Sequence, residues 1–148
     1  DELTYSISSP VSDVVSVSAD FQATTDGTTN LTYSGQSGVQ LTTGASIAFG
    51  ALGNLSSVDN AASSANGGFA ILHVPTNSVG GGVTTIKVQH SADNTTFADL
   101  ITFSTVAAST KTSELKAVSG TVNRYLRATA STAGSSGAIT YMLSFARF

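Results

Sequence analysis

The stretch VQHSADNTTFADLITF, residues 88–103, decides the fold class because it joins two alternating segments through a short polar turn. Val88 and His90 share one face before the turn, and Ile101 and Phe103 share one face after it. Alternation of period two is typical of strands with one buried side. The Asp-Asn pair between them is turn chemistry, since both side chains bond the nearby backbone and tolerate left-handed conformations. The stretch therefore predicts a β-hairpin.

The same alternation recurs along the chain, and no segment shows a 3.6-residue period with helix caps. Strands are predicted within residues 3–22, 31–33, 39–41, 47–52, 69–74, 85–90, 101–103, 111–118, 125–130 and 139–145. The segment FAILHV, residues 69–74, is apolar on both faces and predicts a central strand covered on both sides. Many short strands between Gly-rich turns predict an all-β fold, an antiparallel, jelly-roll-like β-sandwich.

The pattern divides the chain into three parts. Residues 1–22 predict an N-terminal arm or strand pair, residues 23–37 a polar, turn-rich linker, and residues 38–148 the sandwich itself. The chain begins Asp-Glu, with no initiator Met, and we expect it to have been cut from a longer protein or to continue upstream.

Composition favours a protein that is covered by neighbours. Only 10% of the 148 residues are charged, against about 25% in an ordinary soluble domain. The polar surface must then consist mainly of Ser, Thr, Asn and Gly, which suits a chain buried against other subunits. The absence of cysteine excludes disulfides and thiolate chemistry. No apolar run approaches the roughly 20 residues of a membrane span, so no membrane partner is expected.

Charge is unevenly distributed. Residues 1–80 contain six acidic residues and no Lys or Arg, whereas residues 81–148 contain six basic and three acidic residues. Such halves can attract head to tail between copies, although chance can also produce this pattern with so few charges. Six dispersed basic residues form no continuous patch, so no nucleic-acid contact is expected.

No catalytic constellation stands out. His73, His90 and Asp93 are the residue types of a two-His, one-carboxylate metal site, but nothing in their spacing brings them together. Asp93 and Asp99 supply too few oxygen ligands for a calcium loop. There is no Gly-x-Ser-x-Gly elbow, and the three glycines at 80–82 lack the Lys and Ser/Thr of a phosphate loop. The sequence predicts a non-enzyme without metal or cofactor.

Several segments together resemble the C-terminal sandwich of a family of tailed-bacteriophage virion proteins, the tail-tube-like major tail or decoration proteins. These segments are GGFAILHVPTNS (67–78), TTIKVQHSADNTTFADLITF (84–103), VSGTVNRYLRATAS (118–131) and AITYMLSFARF (138–148). LTYSISSPVSDVVSVSADFQ (3–22) resembles the segment that closes the N-terminal tube-like domain in longer members. The rest of that domain has no counterpart in residues 1–148, and we expect either a fragment of a longer protein or a shortened member of the family. The resemblance implies no catalytic residue.

The resemblance implies a structural component of a phage particle, a many-copy tail protein of the tube or the tail exterior. Its expected location is the virion, after assembly in the bacterial cytoplasm, and its expected partners are copies of itself and other virion proteins. A capsid decoration protein is the alternative within this class.

Interface residues are predicted from the alternation and from the charges. The candidates are Tyr5, Ile7, Val15, Val17 and Phe21 in the arm, and Arg124, Arg127 and Arg147 for acidic neighbours. A solvated sheet face is the alternative for the arginines.

A second alternative comes from another class, a carbohydrate-binding module of a secreted or surface protein. It would need an exposed aromatic platform, for which Tyr125 or Tyr141 are the candidates because the chain has no Trp. Packing in the core or in an interface is the favoured role for these tyrosines.

Overall fold

A computed structural model of the chain describes residues 21–24, 30–33, 38–42 and 44–148. The chain divides into two compact units, residues 1–37 and residues 38–148. Of the predicted arm, Tyr5, Ile7, Val15 and Val17 lie outside the described residues, and Phe21 is described in its backbone only.

The described residues form β-strands of 2 to 10 residues and a single 3-10 turn at Phe49–Ala51. The strands are β1 (Phe21–Thr24), β2 (Asn30–Tyr33), β3 (Val39–Gln40), β4 (Ser46–Ala48), β5 (Val58–Asp59), β6 (Gly68–Asn77), β7 (Val83–Ser91), β8 (Ala98–Thr102), β9 (Val106–Ala107), β10 (Thr112–Val118), β11 (Tyr125–Thr132) and β12 (Ala138–Arg147). In the first unit β1 pairs antiparallel with β2, so the strand predicted at 31–33 is present, in a pair that spans the predicted boundary between arm and linker.

The second unit contains two antiparallel sheets. One has the order β10-β6-β12-β3, with β4 also on β12, and the other has the order β5-β11-β7-β8, with β9 also on β7. Their inner faces form one apolar core, to which β6 and β12 contribute Leu72 and Phe145, and β7 and β11 contribute Ile86 and Leu126. The predicted antiparallel β-sandwich is confirmed, and its jelly-roll connectivity stays a prediction.

The hairpin predicted from residues 88–103 is confirmed. β7 and β8 pair antiparallel, and their register shifts between Val88 and Gln89. Asn94 in the turn has a φ of 60°, the left-handed conformation that Asn tolerates better than most residues.

Strand β6 departs from the prediction in its burial. It is central, lying between β10 and β12, but only alternate residues are buried: Leu72 and Val74 are 0% exposed, whereas Ile71 is 43% exposed. The prediction that both faces are covered is wrong, because a two-layer sandwich covers one face of each sheet.

Strand β6 contains a proline and a glycine, residue types that are uncommon inside strands, and the local structure explains both. Pro75 lies where the register with β12 shifts, between Thr140 and Met142, and a bulge tolerates a residue without an N–H. Gly68 faces the core, and a Cβ there would collide with the Ala146 carbonyl oxygen and the Phe145 ring. The close approach of β6 and β12 at this end therefore requires glycine.

Substitution of two adjacent residues of β6 tests whether only one face of this strand is buried. Replacing Leu72 by Ala should cost about 2–5 kcal/mol of the free energy of unfolding, because it removes a fully buried side chain. Replacing its neighbour Ile71 by Ala should cost less than about 1 kcal/mol, because that side chain faces outward. Urea unfolding of both variants measures the difference, and equal losses would contradict this packing.

Candidate functional site

The outward surface of the β10–β6–β12 strands is apolar. We call it the apolar face and define it by the outward side chains of Ser113, Leu115, Ala117, Phe69, Ile71, His73, Met142 and Ser144, with Phe148 at one end. Leu115 is 62% exposed, Phe148 54%, Ile71 43% and Met142 41%. None of the outward positions on these three strands carries Lys, Arg, Asp or Glu.

Strand register places these side chains side by side. Leu115 lies opposite Ile71, and Ile71 lies opposite Ser144. In the next row Ser113 lies opposite His73, and His73 lies opposite Met142. The Phe69 and Phe148 rings pack against each other, with centroids 5.8 Å apart. Exposed apolar side chains in contiguous rows are typical of surfaces that bind another protein.

The outward surface of the other sheet, which we call the polar face, has the opposite character. The Lys87 ammonium lies 2.7 Å from an Asp99 carboxylate oxygen, and Gln89 donates to the other oxygen at 2.8 Å. These two hydrogen bonds, the Lys87 one foremost, lower the pKa of Asp99. Arg127 donates to Gln89 and lies over the Phe97 ring, 3.8 Å from its centroid. The charges of this face have partners within the chain.

The other two arginines predicted at interfaces also have partners within the chain. Arg124 makes a bidentate pair with Asp59, both contacts at 2.7 Å, and this hydrogen bonding lowers the pKa of Asp59 to about 2. Arg147 donates to the carbonyl oxygens of Val122 and Asn123 and thereby ties the end of β12 to the loop before β11. A contact of any of the three with another subunit stays a prediction.

The edge strand β10 turns its charged side chains inward. Glu114 accepts from the Ser104 N–H and hydroxyl, and Lys116 donates to the Thr102 carbonyl. Burial alone would raise the pKa of Glu114, but its bonds from Ser104 and Lys116 hold it below its usual value. Charges that point inward on an edge strand oppose edge-to-edge pairing with another sheet. Contact through the apolar face is therefore favoured over contact through this edge.

A shallow open groove borders the apolar face at the start of β10. It is lined by His73, Val74, Pro75, Lys111, Thr112 and Ser113. His73 Nδ1 and Ser113 Oγ are 2.6 Å apart. Lys111 is exposed and makes no ion pair or hydrogen bond with any residue that the structure describes.

The two histidines belong to different sheets. His73 lies on the outward surface of β6, whereas His90 on β7 accepts the Asn123 N–H at Nδ1, with 3.2 Å between the nitrogens. Within residues 21–24, 30–33, 38–42 and 44–148, no group of three or more His, Cys, Asp or Glu is placed to hold a metal ion.

The two candidate tyrosines form no sugar platform. Tyr141 is 1% exposed, burial raises its pKa to about 12, and its hydroxyl has no hydrogen-bond partner among the described residues. Tyr125 is half-buried, with the Arg124 guanidinium 5.0 Å from its ring centroid.

Sequence reasoning missed the apolar face itself. Ile71 belongs to the strand that is predicted to be covered on both faces, and Leu115 belongs to the strand predicted at 111–118. Alternation shows that residues share a face, but it does not show whether a second layer covers that face.

No protein-family model matches the chain. No curated protein sequence matches it. Among solved structures, the chain is similar to a chain of the "Structure of infectious bursal disease virus Gx strain", with 15% identity and a TM-score of 0.36 over 87% of this chain. This chain spans 37% of that chain. A similarity of this size does not indicate a common function. No helix within the described residues is long and apolar enough to cross a membrane.

The turn of the β7–β8 hairpin allows a test of whether Asp93 has a structural role or binds calcium. Asp93 accepts the Thr95 and Thr96 N–H groups and the Ser91 hydroxyl, and these bonds, with the Thr96 one foremost, lower its pKa. Asp93→Ala should lower the thermal midpoint, and Asp93→Asn should lower it less because an amide oxygen still accepts. Calcium should leave the wild-type midpoint unchanged. A rise with calcium that Asp93→Asn abolishes would contradict the structural role.

His90 should make stability depend on pH. Burial, and then the charge of Arg147, lower its pKa below 6.5 in the folded chain. The unfolded chain then binds the proton at a higher pH, so the free energy of unfolding should fall as pH decreases below 6.5 toward the lowered pKa. Protonation of Nδ1 would also remove the bond from Asn123. Urea unfolding on either side of pH 6.5 measures the change.

His90→Gln should remove this pH dependence, and His73→Gln serves as its matched control because it leaves the His90 contacts intact. A pH dependence that survives in His90→Gln would assign it to another group.

Proposed function

We propose that the protein is a non-enzymatic structural component of a virus particle, present in many copies that pack through the apolar face. The observation that carries the proposal is the contrast between the two outward surfaces. One sheet presents Leu115, Ile71 and Met142 without a charge among them, whereas the other pairs its charges within the chain. Monomeric soluble proteins rarely leave a contiguous apolar surface exposed to water. The low charge content of this chain, 10% of its residues, lowers the solubility of a copy whose apolar face is exposed.

The particle we propose is a tailed bacteriophage, and the position we favour is the tail, as tube or tail exterior. The sequence resemblance supports this choice, and decoration of the capsid is the alternative position. The proposed location is the virion, after assembly in the bacterial cytoplasm, and the proposed partners are copies of the chain and other virion proteins.

A carbohydrate-binding module is less well supported. Tyr141 is buried, and Tyr125 is half-buried beside Arg124, so neither presents a free ring on which a sugar can stack. Nothing else among the described residues favours this role.

A charge placed in the apolar face should prevent assembly. Leu115→Glu buries a carboxylate at any contact through this face, and we expect multi-copy species to be lost or strongly reduced. The matched control is Ser131→Glu, an exposed position on β11 of the other sheet, which should assemble as the wild type does. Light scattering after size-exclusion chromatography and electron microscopy measure the assembly.

If the wild-type chain stays monomeric at every concentration and binds a glycan array, the proposed role is contradicted and the carbohydrate-binding alternative is favoured. Equal assembly of Leu115→Glu and Ser131→Glu would show that the apolar face is not part of the contact.

A further inference from the structure

We infer that the apolar face of one copy receives the N-terminal residues 1–37 of a neighbouring copy, with Lys111 facing their carboxylates. This inference rests on the proposed many-copy assembly. It adds which part of the partner is bound and makes the contact head to tail.

Charge is the first argument. Residues 1–37 carry five acidic side chains and no Lys or Arg, whereas residues 38–148 carry six basic and four acidic side chains. The two parts therefore attract each other between copies, at a range set by the ionic strength.

The position of the free cation is the second argument. Lys87, Lys116 and Arg124 each have a carboxylate partner in the sandwich. Arg127 lies over a ring, and Arg147 is held by backbone carbonyl groups. Lys111 remains without a partner among the described residues, and it borders the apolar face beside His73 and Ser113. Among the described residues, the one cation without a partner thus lies at the edge of the apolar face.

Chemical match is the third argument. The N-terminal sequence alternates apolar residues, among them Tyr5, Ile7, Val15 and Val17, with small polar ones and with the carboxylates. The apolar face has the corresponding composition, because Leu115 and its apolar neighbours lie near the Lys111 ammonium. An apolar and acidic partner is complementary to this surface in both respects.

Two other contacts are less favourable. If two apolar faces met each other, Lys111 would face no carboxylate on the partner's apolar face, because no outward position of β10, β6 or β12 carries Asp or Glu. If the N-terminal residues bound the polar face, ion pairs such as Lys87–Asp99 would be desolvated, at a cost that their mutual attraction does not always return.

Complementation between two variants tests the inference in the full-length chain. The first variant, Lys111→Glu, has an altered face and an intact N-terminus. The second, Asp13→Asn with Asp20→Asn and Asp26→Asn, has an intact face and a less acidic N-terminus. Each alone should self-associate about tenfold more weakly than wild type, because one side of every contact is altered. Mixed together they should form mainly one-to-one pairs at concentrations where neither variant self-associates, because only the contact between the face of the second and the N-terminus of the first is unaltered.

Two controls accompany this experiment. Lys111→Arg keeps the charge and should self-associate as wild type does, and Ser131→Glu adds a negative charge on the other sheet and should do the same. Circular dichroism and thermal midpoints establish that every variant is folded. Added sodium chloride should weaken wild-type association, independently of any substitution.

The outcomes separate this inference from the proposed function. If neither Lys111→Glu nor added salt changes the assembly, the inference is overturned, but the proposed assembly role is not. Variants that are each weakened but form no mixed pairs would also overturn it. A wild-type chain that is monomeric under all conditions would overturn both.

Discussion

Packing of the β6–β12 pair against the β7–β11 pair is the contact on which the rest of the structure depends. Both pairs lie within their sheets, and their inner side chains, such as Leu72, Leu143, Val88 and Leu126, are almost fully buried. Removing this apolar surface from water is the main favourable contribution to folding. A core built from two layers also leaves the outer face of each sheet exposed, because the sandwich itself covers only the inner faces.

The two sheets meet this constraint in different ways. The polar face carries side chains that pair with one another, as Lys87 does with Asp99 and Arg127 with Gln89, so water can cover it. The apolar face carries Leu115, Ile71 and Met142, whose exposure to water is unfavourable. The edge beside it is closed by Glu114 and Lys116, whose side chains point between the sheets. Together these features support the proposal that a partner contacts the sandwich through its apolar face.

Local patterns were sufficient for much of the fold. The hairpin of β7 and β8 follows from alternation and from Asp93-Asn94, because a strand with one buried side and a turn that bonds its own backbone are properties of neighbouring residues. Strand β4 was predicted too long, since alternation at 47–52 continues into a 3-10 turn. Periodicity does not mark where pairing with the neighbouring strand stops.

The sequence by itself determined the all-β class, the period of each long strand, the unequal distribution of charge and the absence of cysteine. Only the tertiary structure decided which alternating face is covered, that Ile71 and Leu115 adjoin each other, and that Lys111 alone among the sandwich cations lacks a partner in the described residues. The physical reason is that burial and ion pairing depend on residues far apart in the chain. Leu115 and Ile71 are brought together by strand pairing, and the bonds that hold Glu114 and Arg147 come from other strands and loops.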